Sequence, residues 1–276
     1  MKKKNKAIYL LFLMPFVYFA TACFVVWLVK TSGIYPSGSD TMYHVYRGDY
    51  VYNAIKSGNW YPLYDPAWYN GVEILRYWSP FPAYVMAFCQ YLAGGSQFGA
   101  YLFYIGGVCF LGACVWPFIG RGFNRPYLGA FIGLLWFFMP NNLCAIFIEG
   151  NLARSLSMIF LPVFIYSVYK YLYNHKLRYI PLIVFTFLLM ELCHLGYAGM
   201  VAIAVIIYGI VYIIQKGRKK AVLDVVISMI FGFMLLGIWL VASLRGGITS
   251  LDNSENMANF FQNLWITINP FERLTR

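Results

Sequence analysis

Charge is what this sequence has least of. Asp, Glu, Lys and Arg together make 11% of its 276 residues, where a soluble domain carries about a quarter. Hydrophobic residues make 61%, so an ordinary soluble fold is excluded and a membrane composition remains. Acid is scarcer than base, ten residues against twenty-one. The resulting +11 does not argue for nucleic acid, because short cytoplasmic loops of membrane proteins collect Lys and Arg. Cysteine pairs are missing too. Cys23, Cys89, Cys109, Cys114, Cys144 and Cys193 lie in apolar stretches with no C-x-x-C spacing. They read as small buried hydrophobes, which excludes a disulfide framework or a zinc site. No internal repeat and no low-complexity tract is visible.

Apolar runs are abundant. Segments near 7–29, 98–120, 126–148, 152–173, 197–215 and 221–243 are long enough to span a bilayer, which takes about 17–25 residues. A shorter candidate at 178–195 is interrupted by Pro181, Glu191 and His194. The first run follows Lys2, Lys3, Lys4 and Lys6 and is too long for a signal h-region, so a retained signal anchor is expected. The stretch 80–94, about fifteen residues, is short for a span. If it does not cross, Arg121, Arg125, Lys170, Lys176, Arg178, Lys216, Arg218, Lys219 and Lys220 all share the cytoplasmic side with the N-terminus. If it crosses, they all flip outside. The positive-inside rule selects the first arrangement. The expected fold is therefore an all-α integral membrane protein, multi-pass in the cell membrane, with seven transmembrane helices and a re-entrant or interfacial helix at 80–94. Residues 1–243 form the transmembrane module, 30–97 its long first outer loop, and 244–276 an outer C-terminal segment. Every acidic residue except Asp224 then falls at or beyond the outer half of the membrane. Gly129 and Gly133, four apart, permit close helix packing.

The outer loop carries the polar chemistry. Ser39 or Asp40 makes a natural N-cap for a helix running to about Lys56. On that helix Asp40, His44 and Arg47 recur at i, i+4 and i+7, which places a carboxylate, an imidazole and a guanidinium on one face. Val45, Val51 and Ile55 are expected to rest on the membrane surface. Trp60, Tyr61, Tyr64, Trp68, Tyr69, Tyr77 and Trp78 supply either an interfacial belt or a wall for sugar stacking. Pro62, Pro66, Pro80 and Pro82 stiffen the loop. A simple N-cap with surface His and Arg is the plain alternative. Glu149 is expected in the next outer loop, with Arg154 as a partner five positions on. Glu191 and His194 are ionisable groups at membrane depth, which are costly to bury and so invite a functional reading, with mutual hydrogen bonding as the alternative.

These motifs in this order resemble the GT-C superfamily of membrane glycosyltransferases. They are Asp40, His44 and Arg47; 58–62, containing Trp60 and Tyr61; Gly71; 79–82; Glu149, Asn151 and Arg154; and His194. More narrowly, the chain is similar to bacterial membrane proteins labelled 6-pyruvoyl-tetrahydropterin synthase-related, a label that implies no pterin chemistry. The resemblance implies a seven-helix module with juxtamembrane helices in the first outer loop. It also implies sugar transfer from a polyprenyl-phosphate-linked donor to an envelope glycan, lipid or protein at the outer face. Asp40 would be the base or the carboxylate that positions the acceptor, with His44 and Glu149 beside it. Arg47, Arg154 and Arg245 would meet the donor phosphate, and Trp60, Tyr61, Asn151 and His194 would complete the substrate-binding set. Metal-dependent members hold a divalent cation, Mg or Mn, and Asp40 and Glu149 would be its ligands here. There is no Asp-x-Asp motif. Members of the superfamily continue past the seventh helix, so the end at Arg276 suggests a fragment or split product. Two other readings stay open: a non-catalytic remnant in envelope assembly, and a polytopic transporter or flippase. The latter is disfavoured by the absence of midplane charge in most spans and of a repeat.

Overall fold

The computed structural model describes residues 2–68 and 71–243, with side chains from Phe12 onward except Tyr77. It is helical throughout: α1 (Lys2–Ser32), α2 (Thr41–Lys56), α3 (Ile74–Tyr77), α4 (Phe81–Leu92), α5 (Gln97–Gly122), α6 (Pro126–Leu135), α7 (Pro140–Leu143), α8 (Leu152–Asn174), α9 (Tyr179–Cys193), α10 (Leu195–Lys216) and α11 (Lys219–Ser243). A 3-10 turn, Trp136–Phe138, and a π turn, Cys144–Ile148, flank α7. No strand occurs among the described residues; Asp65 and Val72 form one isolated antiparallel bridge. Two compact units divide the chain, Met1–Leu236 and Gly237–Arg276, and the packing described here belongs to the first. The expected outer segment 244–276, with Arg245, lies outside the described residues.

Six stretches are long and apolar enough to cross a membrane: Phe12–Ser32, Gln97–Gly122, Pro126–Ile148, Leu152–Asn174, Leu195–Lys216 and Lys219–Ser243. Their outward faces carry large apolar side chains, such as Phe16, Phe24 and Trp27 on α1 and Ile203, Ile207 and Ile214 on α10. Apolar surface on that scale suits lipid and not water. Against the expected seven, α9 falls short by length: 15 residues reach about 22 Å, below the ~30 Å hydrocarbon core. Its stop is local. His194 adopts an extended conformation, φ −153° and ψ 95°, and α10 starts at the next residue. The helix is nonetheless well seated, because Tyr179, Ile183, Phe187 and Met190 recur on one face and pack with Phe164, Val168 and Leu172 of α8.

The helix ends sort into two groups. At one end the Lys170 ammonium donates to the Gly122 carbonyl at 2.6 Å, and the Tyr212 hydroxyl to the Leu172 carbonyl at 2.5 Å. At the other, the Tyr104 hydroxyl donates to the Leu152 carbonyl at 2.8 Å, and Ser79 Oγ to the Glu191 carbonyl at 2.9 Å. Basic loops gather at the first end, and the acidic residues other than Asp224 among the described residues lie toward the second. Near the first end, α5 and α6 approach at glycine: a Cβ on Gly129 would lie 2.8 Å from the Gly120 Cα. The expected small-residue contact is therefore real.

The segment 80–94 is a helix of 12 residues, α4, whose Met86, Ala87 and Cys89 are buried. It packs α2 against the bundle through Gly48, where any Cβ would collide with Met86. Consequently Val45 and Val51 do not rest on a membrane surface. Val45 is 2% exposed in the main core, and Val51 is fully enclosed with Ile74, Leu75, Ala83 and Ala87. The inward face of α2 is set by Thr41, His44, Val45, Gly48 and Val51, at 3- and 4-residue spacing.

Candidate active site

Three turns of chain meet at the acidic end. The first is 37–41, ahead of α2. The second is 149–154, leading into α8, and the third is the α9–α10 corner at His194. Two glycines bring the first two together. A Cβ on Gly38 would lie 2.5 Å from the Gly150 Cα, and Gly150 itself has φ +68°, which other residues rarely adopt. The backbones then pair: the Asp40 N–H donates to the Glu149 carbonyl at 3.1 Å, and Ser39 Oγ donates to the same oxygen at 3.1 Å. Ser39 Oγ also lies 3.2 Å from Asp40 Oδ1. Asp40 occupies the N-cap position of α2 but makes no capping bond with its side chain. Its carboxylate is exposed and unused by the helix.

Glu149 pairs with Arg154, Oε2 to Nη1 at 2.6 Å, and its other oxygen accepts from the Cys144 thiol at 3.3 Å. The Arg154 Nη2 lies 3.4 Å from Asn141 Oδ1, while its Nε is enclosed and without a hydrogen-bond partner. Asn151 caps α8: its Oδ1 accepts the Arg154 N–H at 2.9 Å. That bond fixes the amide, so the Asn151 NH2 faces the other way, toward His194 Nε2 at 3.4 Å. His194 caps α10 in turn, with Nδ1 accepting the Tyr197 N–H at 3.0 Å. An Nδ1 that accepts carries no hydrogen, so the ring hydrogen sits on Nε2. Two donors therefore face each other at 3.4 Å and cannot satisfy one another. Together with the Arg154 Nε, they make a cluster of N–H groups for which no acceptor is supplied among the described residues.

Burial pushes the His194 imidazole below its ordinary value. A backbone hydrogen bond at the residue itself opposes this, Arg154 adds to it, and Asp40 and Glu149 oppose it. His44 is deeper. Burial chiefly, then Arg47 and His194, push it down to about 3. Both imidazoles are therefore neutral at pH 7, and His44 is no cation for a phosphate.

Arg47 does not join the cluster. It is 1% exposed, and its Nη2 lies 3.4, 3.2 and 3.5 Å from the carbonyls of Ile74, Trp78 and Ser79. Its guanidinium also lies over the Tyr43 and Trp78 rings, 5.4 and 5.8 Å from their centroids. The i, i+4, i+7 alignment is kept, but the face it defines turns inward after Asp40. Arg47 serves as an anchor for the segment 74–79, in place of the expected phosphate ligand. Trp60 and Tyr61 are exposed in the loop beside α4, where the Tyr84 hydroxyl donates to the Trp60 carbonyl at 2.6 Å. Arg245 lies outside the described residues.

The expected divalent cation does not fit. Both oxygens of Glu149 are engaged, one by a guanidinium that repels a metal, and no group of three His, Cys, Asp or Glu side chains comes together among the described residues. The cysteines also depart from expectation at three positions: Cys23 is exposed on α1, and Cys114 and Cys144 are half-buried, Cys144 against Glu149. Sequence reasoning missed Gly38 and Cys144, and saw in Ser39 only a cap. The only prior signal for Gly38 was its place between two serines.

A family described as "6-pyruvoyl-tetrahydropterin synthase related domain; membrane protein" has a model that matches residues 75–276. The match takes in Glu149, Asn151, Arg154 and His194, and begins after Asp40. No curated protein and no solved structure matches the chain.

Proposed function

We propose, given that the chain belongs to the family of 6-pyruvoyl-tetrahydropterin synthase related membrane proteins, that it is a membrane glycosyltransferase of GT-C type. Its donor is a sugar on a polyprenyl phosphate, and its acceptor a hydroxyl of the cell envelope at the outer face. The observation that carries this reading is that the Asn151 and His194 N–H donors face each other beside the unpartnered Arg154 Nε and an exposed carboxylate at the acidic end of the bundle. Seven passages through the bilayer, with α9 as the short one and 80–94 lying at the surface, put that end outside and the basic loops in the cytoplasm. The sorting of helix ends by charge supports this orientation.

In the reaction, Asp40 takes the proton of the acceptor hydroxyl as its oxygen bonds to the anomeric carbon. The bond from that carbon to the phosphate oxygen breaks, and the electron pair leaves with the polyprenyl phosphate. Asn151 Nδ2, His194 Nε2 and Arg154 donate to the departing oxygens, where negative charge builds. Glu149 holds Arg154 in place. His44, neutral and buried, backs the His194 ring.

The test is Asp40→Asn. Membranes bearing this variant should insert as the parent does and lose transfer from a labelled polyprenyl-phosphate sugar by 100-fold or more, on the order of a general base's contribution. Transfer at the parent rate would reject the mechanism.

A further inference from the structure

The opposite, basic end holds a large cavity that the proposed reaction does not use. It has a volume of about 860 Å³ and lies between the α8–α9 turn and the start of α11. Arg218, Lys219 and Lys220 line it, against a single carboxylate, Asp224, which the Tyr171 hydroxyl already engages at 2.6 Å. Cationic and apolar surfaces adjoin: Leu177 and Ile227 also line the cavity and are 75% and 53% exposed.

Two local features show that these charges are placed at a cost. Lys219 and Lys220 stand in the first turn of a 25-residue helix with no acidic residue there. Cations at that end oppose the helix dipole, and an anion bound there would offset them. Arg218 is also held in position: its Nη1 lies 2.6 Å from His175 Nε2. A guanidinium only donates, so this imidazole nitrogen accepts. His175 reaches the cavity because it ends α8 in the left-handed conformation, φ 52°, uncommon for a residue other than glycine. The remaining Arg218 donors are left for an oxyanion.

We propose that this cavity binds the phosphate headgroup of an anionic membrane phospholipid, with Arg218, Lys219 and Lys220 on the phosphate and Leu177 and Ile227 along the start of the acyl chains. A free phosphate shares the headgroup chemistry but has no use for the apolar wall. Basic pockets between membrane helices commonly take such lipids.

The experiment uses the full chain in neutral detergent and counts retained lipid by native mass spectrometry. Phosphatidylglycerol, phosphatidylcholine and inorganic phosphate are added separately. Phosphatidylglycerol should be retained and phosphatidylcholine should not. The triple variant Arg218→Ala, Lys219→Ala, Lys220→Ala should bind phosphatidylglycerol about 100-fold more weakly, at about fivefold per cation. Arg121→Ala with Arg125→Ala removes cations from the same face but not from the cavity, and should leave retention unchanged. A single Arg218→Ala variant keeps the test available if the triple variant does not fold, with a loss of about fivefold. Equal loss in the control, or undiminished retention in the cavity variants, overturns the proposal. Displacement of the lipid by millimolar inorganic phosphate alone overturns the assignment to a lipid.

Discussion

Replacing Asn151 by Asp separates the proposed oxyanion cluster from its structural duties. As an N-cap, Asp serves about as well as Asn, so the bond to the Arg154 N–H, 2.9 Å in the parent, survives. The other side-chain atom changes from a donor to an acceptor, 3.4 Å from His194 Nε2. That contact becomes a hydrogen bond from the ring to a carboxylate, worth about 1.5–3 kcal/mol where a group is charged. Folding stability should therefore hold or rise. Phosphate binding should suffer twice, by losing an N–H donor and by meeting a negative charge. Loss of one such donor costs about 100- to 1000-fold in rate, and the added charge pushes the loss toward the upper figure. The measurements are the thermal midpoint of the solubilised protein and transfer from a labelled polyprenyl-phosphate sugar in membranes. Parental transfer at parental stability would refute the donor cluster as a phosphate site. A large fall in the midpoint would refute the assignment of the amide orientation.

Three other outcomes follow from the same geometry. Arg47→Met should lower stability by about 2–4 kcal/mol, because three carbonyls lose a charged donor while the desolvation of the guanidinium is relieved. Transfer per folded molecule should persist, and loss of transfer at unchanged stability would restore Arg47 as a phosphate ligand. His44 is pushed down from 6.5 to about 3, so between those values the unfolded chain binds a proton that the folded chain refuses. Its contribution to stability is complete above about pH 6.5 and drains away as pH falls toward 3, at ~1.4 kcal/mol per pH unit. His44→Gln should flatten the fall in thermal midpoint between pH 6.5 and 4.5, and an unchanged slope would remove His44 from the account. An impermeant maleimide on intact cells should label Ser37→Cys and spare Asn124→Cys, and the reverse would invert the proposed orientation.

The membrane class, the helix over 41–56 and the short helix after Ser79 were legible because each rests on local pattern: apolar length, an N-cap position and proline spacing. The pairing of Glu149 with Arg154 was also legible, since five positions across a turn bring such groups together. The shared face of Asp40, His44 and Arg47 was half legible. Helical period aligns the three residues, but period alone does not say which way the face turns. In water a row of polar side chains points outward. Here Gly48 lets α4 lie against α2, and the row points into protein, where Arg47 finds carbonyls and His44 stays neutral. The Gly38–Gly150 contact was illegible, because two glycines 112 positions apart give no local signal of touching. The short α9 was a matter of degree: Glu191 and His194 marked its end, but only the extended backbone at His194 fixes where it stops.

His194 shows how fold and chemistry depend on each other in this protein. One extended residue between α9 and α10 leaves the first N–H groups of α10 unpaired, and the nearest acceptor is the His194 ring itself. Accepting that bond commits the ring hydrogen to Nε2, on the side where Asn151 has been committed by capping α8. Both donors are thus oriented by helix capping and would face each other with or without substrate. Both residues stay partly open to solvent, which spares the pair the full cost of about 1–3 kcal/mol that a buried unsatisfied donor carries. The offset within the fold is that the same two bonds secure two helix starts. On the proposed function, an anion bound at this corner would accept from both donors, so ligand binding should stabilise the helical corner itself.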